Sequence, residues 1–196
     1  MTTARQLHAL DAHRAAFARQ LDALPDAVVH AAPAPGAWSL AQLAEHLLRV
    51  DRELDRSAER PVERATGGLR RLRSRVGRRA LEGILGLPVR IPAPRSAAAV
   101  MPSESPCWAE VRAAWDALRA GWQDLGGADP AWLVYRHPIA GPLRLDDALA
   151  FLLAHHRHHD VQVRRTLAQL GLAPLGHRTP RAPQTRRPPS RVATAA

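Results

Sequence analysis

Residues 38–54 read WSLAQLAEHLLRVDREL, and the way this stretch begins decides the fold. Ser39 is placed to cap a helix N-terminus, and Gln42, three residues on, completes a capping box. Trp38 before the cap and Leu43 after it are the pair expected of a hydrophobic staple. Leu40, Leu43, Leu47, Val50 and Leu54 then recur on one side at helical spacing. The stretch reads as an amphipathic helix with a sharp start, and the rest of the chain must cover its apolar face.

Outward from this helix, three more segments carry the same period. Thr3 to Leu24 lines up Leu7, Leu10, Phe17, Leu21 and Leu24 and stops at Pro25, and the connector APAPGAW (32–38) cannot be helical. From Pro106 to Leu125, with Ser105 as cap, Trp108, Val111, Trp115, Leu118, Trp122 and Leu125 form a stripe closed by Gly126 and Gly127. Leu145 to Leu170 is the fourth helix, with Gly171 as its stop. The segment between the last two reads as a loop with a short extended turn around Pro138 to Pro142.

Residues 60–105 separate the second and third helices. Within them LRRLRSRVGRRALEGILGL (69–87) puts Leu69, Leu72, Val76, Ala80, Ile84 and Leu87 on one side, as a short basic amphipathic helix weakened by its glycines. The proline-rich run after it reads as an extended crossover. No βαβ unit or glycine-rich phosphate loop is present. These readings predict an all-α fold, a four-helix bundle with a long crossover between the second and third main helices. It occupies residues 1–172, with an Arg/Pro-rich insert at about 60–105, and a disordered Arg/Pro-rich tail follows over 173–196.

Composition narrows the class further. Hydrophobic residues make up 46% of 196 positions, enough for a packed core. The single cysteine, Cys107, excludes an internal disulfide and suits a reducing compartment. No N-terminal apolar stretch suggests a signal peptide, and no apolar run is long enough to cross a bilayer. A cytoplasmic protein with no membrane association is the expectation. The formal charge is +10, and all 28 basic residues are arginine. Residues 60–95 hold ten arginines against two glutamates, and 173–196 hold five arginines and no acid, so the remainder is slightly acidic. This basicity reads as a solvated insert and tail, or alternatively as a nucleic-acid or membrane-surface patch.

Four of the ten histidines crowd into AHHRHHDVQ (154–162). On a helix advancing about 100° per residue they are not equivalent. His156 points into the apolar face and is expected to be a buried, hydrogen-bonded imidazole. His158 is expected to face solvent. His155 and His159 sit one turn apart on one margin, where two imidazoles can share an ion such as zinc, nickel, copper or iron. His46 lies on the margin of the second helix's stripe and is, from geometry, equally a third ligand or an ordinary boundary histidine. Three imidazoles in a groove with an open position would suit a catalytic ion. Glu45 and Asp160 point off to the side, so no general base is evident, and Cys107 is expected to pack beside Trp108.

Two patches, PGAWSLAQLAEHLLRVDREL (35–54) and HPIAGPLRLDDALAFLLAHHRHHDVQV (137–163), together resemble the DinB-like (DinB/YfiT-type) metal-binding four-helix-bundle family. The resemblance spans about residues 5–172. It implies a divalent metal (zinc, nickel or iron) held by His46, His155 and His159, with Gln162 orienting from behind, and it gives no role to His156 or His158. It also implies an enzyme acting on a small-molecule substrate, with catalytic residues other than the ligands unassigned. The activity would be transfer of a low-molecular-weight thiol (bacillithiol, mycothiol or glutathione) to an electrophile, or else metal-dependent hydrolysis. Other readings are a structural metal, or a non-enzymatic stress-response or binding module whose arginine segments meet an acidic partner such as nucleic acid. The number of apolar stripes is compatible with a homodimer. The Arg-rich insert and tail depart from the family pattern.

Overall fold

The computed structural model describes residues 2–58, 63–64, 67–86, 95–137 and 140–172. In chain order these form α1 (Thr3–Asp22), a one-turn α2 (Asp26–His30), α3 (Leu40–Ala58), a short strand β1 (Glu63–Arg64) and α4 (Gly68–Leu85). A 3-10 turn (Arg95–Val100), α5 (Trp108–Gly121), strands β2 (Trp132–His137) and β3 (Gly141–Arg144), and α6 (Leu145–Gln169) follow. The architecture is an all-α helical bundle: α1, α3 and α4 pack around α6, and α5 lies on α3. Leu10, Leu21, Leu43, Leu47, Trp115, Leu149 and Leu152 make its fully buried centre.

The boundaries of α3 follow from its first turn. Ser39 N–H donates to Gln42 Oε1 at 2.9 Å, and Gln42 N–H donates to Ser39 Oγ at 3.2 Å, the reciprocal capping box expected of this sequence. At the other end of the chain α6 stops where Gly171 takes φ +75° and Leu172 N–H closes back on Leu167 O at 2.9 Å.

The core is not wholly apolar. Asp51 Oδ2 accepts from Arg14 Nε at 2.9 Å and from Trp115 Nε1 at 3.1 Å, and His156 Nε2 lies 3.2 Å from both carboxylate oxygens. Burial opposes the Asp51 charge, but Arg14 and His156 hold the carboxyl below the usual range. For His156 burial outweighs the pull of Asp51 and its pKa is lowered, so Nε2–H donates and the ring stays neutral.

Several local expectations are corrected. The stretch around 132–144, read as loop, is a β-hairpin, and β1 pairs with it to give a three-stranded antiparallel sheet in the order β1-β2-β3. Leu133 pairs with Arg144, Tyr135 with Leu143, and Pro142 with Arg136. Pro142 reads as loop punctuation in the sequence, yet β3 is an edge strand of this sheet, where a missing N–H is tolerated. The helix α5 starts at Trp108 instead of Pro106, with Cys107 at its cap position and Cys107 itself exposed, not packed. His158 does not face open solvent: it is half-buried, and its Nδ1–H donates to Leu85 O at the end of α4.

The largest departure concerns which face of α4 packs. Ser74 and Leu81 are its buried residues, not the row that begins at Leu69. Ser74 Oγ donates to Asp147 Oδ2 at 2.6 Å and accepts from Arg144 N–H at 3.0 Å, while Arg78 Nε reaches Asp147 Oδ1 at 2.9 Å. Gly77 permits the approach, since a Cβ there would sit 2.9 Å from Ala140 O. Polar bonding and a small residue therefore seat α4, and the aliphatic row Leu69, Leu72 and Val76 is left exposed. The tail over 173–196 and the proline-rich run over 87–94 lie outside the described residues.

Candidate metal centre

The polar stripe of α3 formed by Gln42, Glu45, His46 and Arg49 occupies one flank at i, i+3, i+4 and i+7 spacing. All four side chains hold the backbone of residues 100–104, from the last residue of the 3-10 turn onward. Gln42 Nε2 donates to the carbonyls of Ser103 (3.0 Å) and Glu104 (3.1 Å). Glu45 Oε2 accepts from Ser103 N–H (2.6 Å) and Oγ (2.8 Å), and Arg49 Nη1 donates to Met101 O (2.6 Å). Burial works against the Glu45 charge, but the Ser103 amide and Arg49 hold its pKa below the usual range. His46 completes the set: its Nδ1 lies 2.8 Å from Val100 O, and because a carbonyl only accepts, Nδ1 carries the proton.

That proton fixes the other nitrogen. With Nδ1–H committed to Val100, His46 Nε2 presents a lone pair. The same logic holds on α6, where His159 Nδ1 lies 3.0 Å from Gln162 Oε1, leaving Nε2 as the lone-pair nitrogen. His155 Nε2 lies between them, 3.4 Å from His46 Nε2 and 3.2 Å from His159 Nε2. A neutral imidazole has one ring proton, so His155 can satisfy at most one of these two contacts by donating. A cation at the point of convergence satisfies all three.

Electrostatics favour the same state. Burial is the main cause of a lowered pKa at His46, His155 and His159, with His155 well below its ordinary value and His159 pushed down to about 3. The rings also depress one another, since each would be a like charge if protonated. Three unprotonated nitrogen donors are what a borderline divalent ion requires. The edge of a tetrahedron with Zn–N bonds of 2.0–2.1 Å is about 3.3 Å, which matches the two separations from His155 Nε2, and all three donor atoms lie within 4.8 Å of one another. The residues fit the group: the three histidines form a cluster capable of coordinating a divalent metal. No carboxylate belongs to it among the described residues.

Aromatic rings wall the cluster. Phe151 stacks on His155 with centroids 5.7 Å apart, and Trp38, just before the α3 cap, lies 5.1 Å from His46. Phe151 in turn touches Tyr135 and His137 of β2, so the hairpin backs the site. Burial raises the Tyr135 pKa and pushes His137 down to about 4. A groove of about 430 Å³ lies on the neighbouring flank of α3 beside α5, with Glu45, Arg49, Arg52 and Glu110 among its walls, and none of the three histidines lines it.

The four-histidine run thus divides its labour. His155 and His159 meet His46, His156 bonds to Asp51 in the core, and His158 bonds to the end of α4. Asp160 is drawn away to His13 at 3.2 Å. The sequence reading missed Val100, because a carbonyl acceptor has no residue-type signature. It also missed Glu45 as a clamp, although its place one residue from His46 was visible. Trp38 was read only as half of a hydrophobic staple, and Phe151 was given no role.

No curated protein and no solved structure matches the chain. A family model described as the DinB superfamily matches residues 9–163. That span runs from α1 through most of α6 and takes in all three converging histidines, and the chain belongs to the DinB superfamily.

Proposed function

We propose that the chain is a metal-dependent enzyme that transfers a low-molecular-weight thiol to an electrophilic small molecule, with His46, His155 and His159 holding a divalent zinc, nickel or iron ion. The carrying observation is the convergence of three Nε2 atoms while the Nδ1–H groups of His46 and His159 are committed to Val100 and Gln162. Three protein ligands leave a position for a further donor. A divalent ion bound there supplies Lewis acidity, which favours thiolate over thiol at neutral pH. The rest falls to the chain. Val100 O and Gln162 Oε1 hold the rings in one tautomer and orientation, and Phe151 and Trp38 limit water on two sides.

The cluster includes no carboxylate among the described residues, so a thiol or water nucleophile would depend on the metal itself for its activation. In this proposal residues 1–172 form the functional unit, with α3 and α5 as the second and third main helices of a YfiT-type four-helix bundle joined by the long crossover.

Elemental analysis of purified protein tests the metal, and consumption of bacillithiol, mycothiol or glutathione with an alkyl electrophile tests the reaction. Stoichiometric divalent metal lost in His155→Ala, with thiol consumption lost in parallel, is expected. Metal content unchanged by His155→Ala would sink the site. Metal-dependent ester or amide cleavage without any thiol would replace transfer by hydrolysis.

A further inference from the structure

α4 meets water with the side that its sequence makes most apolar. Leu69 is 80% exposed, Leu72 58% and Val76 57%, while the docked side relies on Ser74, Gly77, Arg78 and Leu81. Taking Leu69 as zero and about 100° per residue, Val76 and Ala80 fall within about 20° of it and Leu72 about 60° to one side. Arg73 flanks this row on one edge, and Arg75 and Arg79 flank it on the other. All three arginines are exposed and make no ion pair with another described residue. The only acid on the helix, Glu82, is engaged with Arg78 toward the docked side. The outer face of α4 is therefore an aliphatic strip between arginine rows, with no negative charge of its own.

We infer that this face docks on an anionic phospholipid surface. Aliphatic side chains set between arginines form the pattern of a helix lying in a membrane interface, where the leucines enter the acyl boundary and the guanidinium groups stay at the headgroups. No described helix is long and apolar enough to cross a membrane, so the contact is peripheral. Charge selects this occupant over the others. A second copy laid face to face would bring two sets of arginines together, and a nucleic-acid backbone would satisfy the arginines but leave the leucines without an apolar partner. The inference is independent of the metal centre, which lies between α3 and α6.

The full chain is tested by co-sedimentation with phosphatidylcholine vesicles prepared with and without phosphatidylserine, at low and high salt. Binding that requires phosphatidylserine and weakens with salt is expected. Each arginine near such a surface is worth about a fivefold change in partitioning, so R73Q/R75Q/R79Q should lose binding by on the order of 100-fold. L69S/L72S/V76S should lose it too, and because these six side chains are exposed, helix content should be unchanged in both variants. Binding that is absent at low salt, equal on phosphatidylcholine alone, or unaffected by either triple variant overturns the inference. Self-association abolished by L69S/L72S/V76S without vesicle binding assigns the face to a second copy. Duplex oligonucleotide binding lost in R73Q/R75Q/R79Q but kept in the aliphatic variant assigns it to nucleic acid.

Discussion

Arg14 of α1 and Asp51 of α3 meet in the centre of the bundle, Nε to Oδ2 at 2.9 Å, with side chains 1% and 0% exposed. Arg14 interrupts the apolar stripe of α1 between Leu10 and Phe17, whereas Asp51 lies beside Val50 in the unbroken stripe of α3. Trp115 of α5 and His156 of α6 bond to the same carboxylate, so one group ties four helices together. Asp51→Ala leaves Arg14 charged in the core with only the partly exposed Asp11, at 3.2 Å, as an acidic partner, and should cost up to about 3–5 kcal/mol, read as a lowered urea midpoint. The double replacement Arg14→Met/Asp51→Leu should recover much of that loss, because it removes the buried charge with its partner. A single variant no less stable than the parent would show that the pair does not hold the fold.

Gln162 Oε1 accepts from His159 Nδ1–H at 3.0 Å, the contact that would orient this ring for a metal. Gln162→Leu keeps the volume but removes the acceptor for Nδ1–H. Divalent metal affinity, measured by competition with a chromophoric chelator, should fall about 10–100-fold while the circular dichroism spectrum is unchanged. Affinity equal to the parent would leave Gln162 without an orienting role.

The clamp on residues 100–104 makes a separate claim about Glu45. Glu45→Ala removes the acceptor of the Ser103 amide and hydroxyl, and the Ser103 amide should then exchange with deuterium on the order of tenfold faster. Because Val100 is three residues away in the same segment and sets the His46 tautomer, metal affinity should also fall, by less than in Gln162→Leu. Unchanged exchange at Ser103 would remove the clamp.

Histidines buried in neutral form set the acid response of the metal-free protein. His46, His137, His155, His156 and His159 all have lowered pKa values, chiefly from burial, with His137 at about 4 and His159 at about 3. Below their ordinary value of 6.5 the unfolded chain takes up protons that the folded chain refuses. Stability is therefore fully present above about pH 6.5 and falls as the pH drops toward the folded-state values, by up to about 1.4 kcal/mol per pH unit for each such group. Chemical denaturation between pH 7 and pH 4 checks the sign, and a flat profile would contradict it.

Much of this was legible in the order of residues because local chemistry specifies it. The Ser39/Gln42 box, the stop at Gly171 and the 3/4 spacing of leucines are short-range features, and each element they mark is present. The pairing of His155 with His159 is likewise a property of one helix turn. That His156 turns inward followed from the same wheel. Arg14 leaves a visible gap in its stripe, but Asp51 sits beside an unbroken one, and neither position names its partner.

The three residues bonded to Asp51 and the contact of His46 with α6 depend on which helix faces which, and α4 illustrates the reason. Its sequence offers one apolar row and one polar, small-residue row, and hydrophobic spacing favours burying the first. The fold buries the second, because Asp147 and Arg144 present partners for Ser74 and Arg78, and Ala140 comes close enough to demand glycine at 77. Such bonds join residues about seventy positions apart and exist only once the bundle has closed. Helix identity and length were therefore decided by neighbours along the chain. The His46 tautomer, the buried ionic centre and the choice of docked face were decided in three dimensions, where a carbonyl or carboxylate from elsewhere supplies the missing partner.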